Sequence, residues 1–118
     1  MSIVVTPEEL GETLARFTFA YLLTVGDDER PRVVSVGVAL ADGTLRVTGA
    51  GRSARSNIAV RPGVTLVWPP ADPAEMSLIL DGEAAVDGEA ITVPAGRAIL
   101  HRPAPAPAAP GPAPSCST

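Results

Sequence analysis

Apolar residues along this chain are grouped in short runs separated by turn-forming residues, and near the start they recur at helical spacing. The segment Thr6–Glu9 supplies a capping hydroxyl, a proline suited to the first helical position and carboxylates near the positive helix end. Leu10, Leu14 and Phe17 then recur at a spacing that places them on one helix face. We therefore predict an amphipathic helix from Pro7 to about Arg16.

The rest of the chain predicts a mainly β fold, a small antiparallel six-stranded β-barrel. The six predicted strands are Phe19–Val25, Arg32–Ala41, Thr44–Thr48, Val64–Trp68, Met76–Val86 and Ala90–Val93. Asp42-Gly43 and Asp87-Gly88 are tight hairpin signals. A short helix, Ala54–Val60, is predicted between the third and fourth strands. Such closely spaced strands favour an antiparallel barrel or sandwich over a parallel sheet.

Length and composition indicate one compact domain over residues 1–103, followed by a tail. The tail, residues 104–118, is rich in Ala and Pro and is expected to be extended, flexible and outside the fold. Cys116, the only cysteine of the chain, lies in this tail, so no disulfide forms within the chain. No apolar run is long enough to span a bilayer, and no signal sequence is recognisable. We predict a cytoplasmic protein without a membrane partner.

Charge is distributed unevenly along the chain. The formal net charge is −4, which argues against nucleic acid as a partner. Residues 43–71 nevertheless contain no Asp or Glu and include four arginines, Arg46, Arg52, Arg55 and Arg61. An anion is therefore expected to bind in this cationic segment.

The loop from Thr48 to Ser53 has the residue types of a phosphate site, because it leads from a strand into a helix start. Its glycines allow positive φ and close approach of backbone N–H groups, and the helix start offers further N–H donors. Arg52 and Arg55 add forked donors suited to phosphate oxygens. Such patterns are common, however, and Ser53 could simply cap the helix with both arginines solvated. The loop matches neither a Walker motif nor a dinucleotide-binding fingerprint.

The order of these elements resembles the pyridoxamine 5′-phosphate oxidase-like family of FMN-binding split barrels over about residues 9–103. The resemblance is carried by AYLLTVGDDERPRVVSVGVALADGTLRVTGAGRSARSNIAVRPGVTLVW and LILDGEAAVDG. It implies a split barrel, an FMN cofactor and a homodimer in which a second subunit closes the pocket. It further implies phosphate contacts from Arg32, Thr48, Arg52, Ser53 and Arg55, and ring contacts from Val34, Ser35, Val36 and Val47.

Two further residues have alternative interpretations. Asn57 on the short helix either holds the loop or contacts the ligand, and Trp68 either packs in the core or dimer interface or stacks on the ring. No residue is assigned a catalytic role and no metal ligand set is identified. Glu75-Met76-Ser77 stands where the oxidase has an Arg-Gln pair, and the tail replaces its substrate-holding segment. The resemblance therefore does not extend to pyridoxamine phosphate oxidation.

Three functional hypotheses follow. The first is a flavin- or deazaflavin-dependent oxidoreductase whose cofactor carries the redox chemistry. The second is a non-catalytic barrel that stores flavin or has no cofactor. The third is a dimeric partner-binding module that displays the Pro-rich tail.

Overall fold

The computed structural model describes residues 2–104, and the predicted tail and Cys116 lie outside the described residues apart from Ala104. The elements are β1 (Ser2–Val5), α1 (Pro7–Leu14), β2 (Ala20–Val25), β3 (Pro31–Ala41), β4 (Thr44–Thr48), α2 (Arg52–Val60), β5 (Gly63–Trp68), β6 (Ser77–Glu83), β7 (Ala85–Asp87), β8 (Ala90–Pro94) and β9 (Ala98–His101). The predicted mainly β barrel, with one helix at the start and one between the third and fourth predicted strands, is confirmed. Neither helix in this part of the chain has the length and apolarity to cross a bilayer.

The barrel has nine strands within the described residues, where the sequence predicted six. Two of the additional strands, β1 and β9, pair with each other across nearly the whole described chain, Ser2 lying opposite His101. The third arises because the predicted strand Met76–Val86 is interrupted at Ala84, whose N–H donates to the carbonyl of Pro62 at 2.8 Å instead of to a neighbouring strand. The helix α2 also begins two residues earlier than predicted.

All strand pairs are antiparallel, in the order β1-β9-β6-β5-β2-β3-β4-β8-β7. The sheet curls so far that β6 meets β8, although these strands are not neighbours in that order. At this contact a Cβ on Gly82 would lie only 2.8 Å from Cγ1 of Val93. Because Cβ atoms do not approach other atoms so closely, any larger residue at position 82 would force Val93 to shift at this point of barrel closure.

Strand alternation separates an inner face from an outer face. One row of directly paired inner residues runs through Leu22, Leu66, Leu80 and Ala98 to Val5, and all five are buried in the core. The adjacent row, which we call the outer row, points to the opposite face. Its members, in cross-strand order, are Ser35, Tyr21, Val67, Ile79, Ile99 and Val4. Five of these six residues are apolar or aromatic, so the outer row is largely apolar.

Candidate functional site

A groove of about 630 Å³ lies where the end of β4, the following glycine loop, the start of α2 and the β7–β8 turn come together. The β4–β8 pairing brings these segments together, with Arg46 directly opposite Thr92. The residues that line the groove are Arg46, Thr48, Gly49, Gly51, Arg52, Arg55, Glu89 and Ala90. Three of the four arginines of the cationic segment therefore line one concave surface.

Two glycines form the backbone wall of the groove. Gly49 and Gly51 have φ values of 88° and 89°, in the region that disfavours residues with a Cβ. A Cβ on either residue would meet no atom within 4 Å, so both border open space. The loop therefore presents bare backbone to the groove, as a site that receives an anion on N–H groups requires.

The start of α2 lacks a side-chain cap, in contrast to the start of α1. In α1 the Glu9 carboxylate accepts hydrogen bonds of 2.9 Å from both the N–H and the hydroxyl of Thr6, and these bonds lower the pKa of Glu9. The N-cap of α2 is Gly51, which has no side chain to do this. Ser53 lies inside the helix and therefore does not cap it. The N–H groups of the first turn of α2 are thus available to an anion, and the helix dipole favours negative charge there.

The groove arginines differ in how firmly they are held. Arg52 is exposed, and no hydrogen bond or ion pair within the described residues engages its guanidinium. Arg55 is half-buried, and its Nη1 donates a long 3.4 Å hydrogen bond to the carbonyl of Glu89. Arg46 forms a 2.9 Å ion pair with Asp87. Arg52 and Arg55 are therefore the arginines most available to a ligand.

Arg32, which the resemblance assigned to the phosphate, does not line this groove. Its Nη2 lies 2.7 Å from Oδ2 of Asp28, and this hydrogen bond is the main cause that lowers the pKa of Asp28. Arg32 also precedes Gly37, the register partner of Thr48, by five positions on β3. At about 3.4 Å per residue this separation is about 17 Å along the strand. The structure thus brings Thr48, Arg52 and Arg55 together without Arg32.

The four residues expected to contact the ring fall on two different faces. Val36 and Val47 are buried in the barrel core, and the half-buried Val34 packs against the same core. A ligand on the outside of the barrel would not contact these three side chains. Ser35 is exposed on the outer face, so only this one of the four offers its side chain to such a ligand.

A strip of small, exposed residues on the outer face adjoins the groove. Ser35, Gly37 and Ala39 occupy alternate positions along β3. Each has a small side chain or none, and all three are exposed. A Cβ on Gly37 would come within 3.3 Å of the Thr48 hydroxyl, which places bare backbone beside that side chain. We call Ser35, Gly37 and Ala39 the β3 platform. It leads directly to Thr48 at the mouth of the groove.

Asn57 and Trp68 both contact other parts of the fold. The Asn57 side-chain amide donates to the hydroxyl of the buried Thr24 at 3.1 Å, so Asn57 fastens α2 to β2. Trp68 is only 3% exposed and belongs to the barrel core. Neither residue lines the groove.

Several groove or platform residues, among them Arg46, Gly37 and Glu89, were not among the site residues derived from the sequence. Arg46 belonged to the cationic segment, but its approach to Arg52 depends on the β4–α2 geometry. Gly37 is signalled only by its alternation with valines along β3. Glu89 lies 34 residues from Arg55 and joins the site through β-sheet pairing, for which no local sequence signal exists.

Sequence comparison relates the chain to two mycobacterial proteins, and no protein-family model matches it. These are "Uncharacterized protein Mb0449c" of Mycobacterium bovis and "Uncharacterized protein MT0457" of Mycobacterium tuberculosis. Each is 38% identical over an alignment 113 positions long, and the match covers 82% of this chain and 80% of the relative.

Solved structures with the same fold include two proteins whose names refer to flavin-type molecules and one whose name refers to pyridoxamine 5′-phosphate. An FAD-binding protein of Mycobacterium smegmatis has a TM-score of 0.64 at 17% identity, covering 85% of this chain and 97% of its own. A proposed pyridoxamine 5′-phosphate oxidase of Listeria innocua has a TM-score of 0.58 at 12% identity, covering 81% and 92%. An F420 reductase has a TM-score of 0.54 at 22% identity, covering 75% and 87%. The chain therefore belongs to the family of the two mycobacterial proteins and has the split β-barrel fold of the pyridoxamine 5′-phosphate oxidase-like proteins.

Proposed function

We propose that this protein binds a flavin or deazaflavin through its phosphate and acts as an oxidoreductase with that cofactor, of which FMN is the smallest candidate that carries a phosphate. The observation that carries the proposal is the groove, in which arginines, positive-φ glycines and an uncapped helix start face one space. The fold supports it, because FAD-binding proteins and an F420 reductase share this barrel.

The residues present fit the phosphate of such a cofactor. Arg52 and Arg55 supply charged, forked donors, and the N–H groups at the start of α2 supply further donors. The Thr48 hydroxyl stands between this groove and the β3 platform, where it can donate to a ligand oxygen. When bound, the cofactor supplies the redox chemistry, while these residues hold and orient it.

The β3 platform is the surface on which we propose that the ring lies. Its three small residues allow a flat ring to approach the backbone of β3. On the neighbouring strand β2, Tyr21 lies opposite Ser35, and Phe19 directly precedes that strand. The two aromatic rings pack edge to face with centroids 5.2 Å apart. In the single chain this surface is open to water. A second subunit is the occupant that would enclose it.

We further propose that the protein is a homodimer that pairs through the outer row. Tyr21 and Val4 are 39% and 46% exposed, and the neighbouring Val33 is 55% exposed. Apolar side chains continuous across several strands are costly to leave in water and are typical of interfaces. The single cysteine is in keeping with a cytoplasmic location, which we also propose.

Binding is tested by titrating the purified protein with FMN, riboflavin and a deazaflavin while following ligand fluorescence. We expect binding of FMN that is at least tenfold tighter than binding of riboflavin, which lacks the phosphate. Equal affinities would contradict the phosphate assignment, and no binding would favour the cofactor-free scaffold. Binding without turnover by any electron donor and acceptor pair would favour flavin storage.

The dimer is tested with Val67→Arg, which places a charge in the middle of the outer row. Val67 is directly opposite Tyr21 and Ile79, so the new side chain would stand between two copies. We expect sedimentation velocity to show a dimer for the unmodified protein and a monomer for the variant. Glu12→Arg, on an exposed position of α1, is the matched control. A monomer without any substitution would refute the proposed dimer.

A further inference from the structure

The β7–β8 turn brings two carboxylates to the cationic groove. Asp87 engages Arg46 in an ion pair of 2.9 Å. Glu89 lines the groove itself, and its backbone carbonyl accepts the hydrogen bond from Arg55. Within residues 2–104, no ion pair neutralises the Glu89 carboxylate. A ligand phosphate in the groove would therefore meet a negative charge as well as the arginines.

These carboxylates reduce the charge of the groove to a small positive value. Three arginines, Arg46, Arg52 and Arg55, face two carboxylates, so the formal sum is +1. A phosphomonoester with its second pKa at about 6 carries close to two negative charges at neutral pH, whereas a phosphodiester carries one. Attraction to the groove grows in proportion to ligand charge, but the cost of removing an ion from water grows with the square of its charge. A weakly positive groove therefore favours the singly charged phosphate.

We propose that Glu89 is a specificity-determining residue that makes this groove prefer a flavin-type ligand with a singly charged phosphodiester over one with a doubly charged phosphomonoester. The inference rests on the proposed function, because it assumes that the groove receives the cofactor phosphate. Glu89 repels the ligand phosphate, and Asp87 pairs with Arg46 and so keeps this arginine from the ligand.

The test compares two ligands that share one ring and differ in phosphate charge: FMN and riboflavin 4′,5′-cyclic phosphate. Their dissociation constants are measured by fluorescence titration at pH 7.5 for the unmodified protein and for Glu89→Gln. We expect the unmodified protein to bind the cyclic phosphate more tightly. Because the repulsion is proportional to ligand charge, the gain on Glu89→Gln for FMN should be the square of the gain for the cyclic phosphate. A gain of about threefold for the cyclic phosphate would thus correspond to a gain of about tenfold for FMN.

Two controls separate this effect from a general change in protein charge. Glu12→Gln removes one charge on α1, where Glu12 lines a different groove, and should leave both affinities unchanged. At pH 5, below the second pKa of about 6, FMN is mostly singly charged, so its disadvantage against the cyclic phosphate should disappear in the unmodified protein.

The outcomes distinguish this inference from the proposed function. Tighter binding of FMN than of the cyclic phosphate by the unmodified protein would overturn the role of Glu89 and leave flavin binding intact. Equal gains for both ligands on Glu89→Gln would do the same. Binding of neither ligand would overturn the proposed function, and the inference with it.

Discussion

The double substitution Arg52→Ala with Arg55→Ala removes the two groove arginines that are most available to a ligand. It should abolish most phosphate-dependent binding while leaving the fold intact. Arg52 has no described partner, and Arg55 contributes only its 3.4 Å hydrogen bond to the Glu89 carbonyl. Loss of these side chains should therefore change the free energy of unfolding by at most about 0.5 kcal/mol. The binding effect should be much larger, because both guanidinium groups face the groove.

The expected loss of affinity follows from the strength of hydrogen bonds to charged groups. Such bonds contribute about 1.5–3 kcal/mol when they are shielded from water. The groove is open, so solvent screening reduces this figure, and we take about 1.4 kcal/mol for each arginine. Each such loss corresponds to about tenfold in the dissociation constant. The single variants should lose about tenfold and the double variant about a hundredfold, if the two act independently.

Fluorescence titration with FMN measures these affinities, and riboflavin provides the internal reference. Affinity for riboflavin should stay unchanged, because it has no phosphate to lose contact with. Arg97→Ala, at an exposed position outside the groove, is the matched control for removing a positive charge. FMN affinity of the double variant within twofold of the unmodified protein would refute the phosphate assignment. An equal loss for riboflavin would show that the effect does not involve the phosphate.

Three further outcomes are expected. Gly51→Ala should cost about 1–3 kcal/mol of stability and weaken FMN binding, because φ of 89° with ψ of 174° is a conformation that alanine avoids; thermal unfolding and titration measure both. Gly82→Ala should cost about 1–3 kcal/mol through the clash with Val93, and Val93→Ala in the same chain should recover part of the loss in thermal unfolding. Asp28 has a lowered pKa in the fold, so its pairing with Arg32 stabilises the protein above the unfolded-state pKa and is lost as pH falls through the folded-state pKa. Arg32→Ala should raise the pKa of Asp28 in a carboxyl NMR titration, and an unchanged pKa would contradict the pairing.

The barrel was predictable because its signals are local. Runs of apolar residues bounded by Asp42-Gly43 and Asp87-Gly88 mark hairpins, and both glycines take the positive φ that these turns require. The strands β1 and β9 were missed for the opposite reason. Their pairing joins residues about a hundred positions apart, such as Ser2 and His101, and no local signal predicts such a pairing. Such strands form because the rest of the barrel offers them an edge.

The groove was predictable only as far as it is continuous in sequence. Thr48, Arg52 and Arg55 lie within one strand–loop–helix segment, so charge and glycine content pointed to them directly. Glu89 and the Arg46–Asp87 pair depend on how β4, β7 and β8 align, and their roles follow from the register of that pairing. The charge of the groove, and hence its ligand preference, is therefore set by residues that no local motif contains.

The face on which we propose that the ring lies was, by contrast, predictable from the alternation of large and small residues along β3. Val34, Val36, Val38 and Leu40 are large and apolar, and the residues between them are Ser35, Gly37 and Ala39. In a barrel with a closely packed interior, the large residues must point inward, and the structure places all four in or against the core. The small residues must then point outward, where they leave the backbone accessible. The ring contacts expected of Val34 and Val36 conflict with this alternation, because a residue that fills the core cannot also receive a ligand on the outer face.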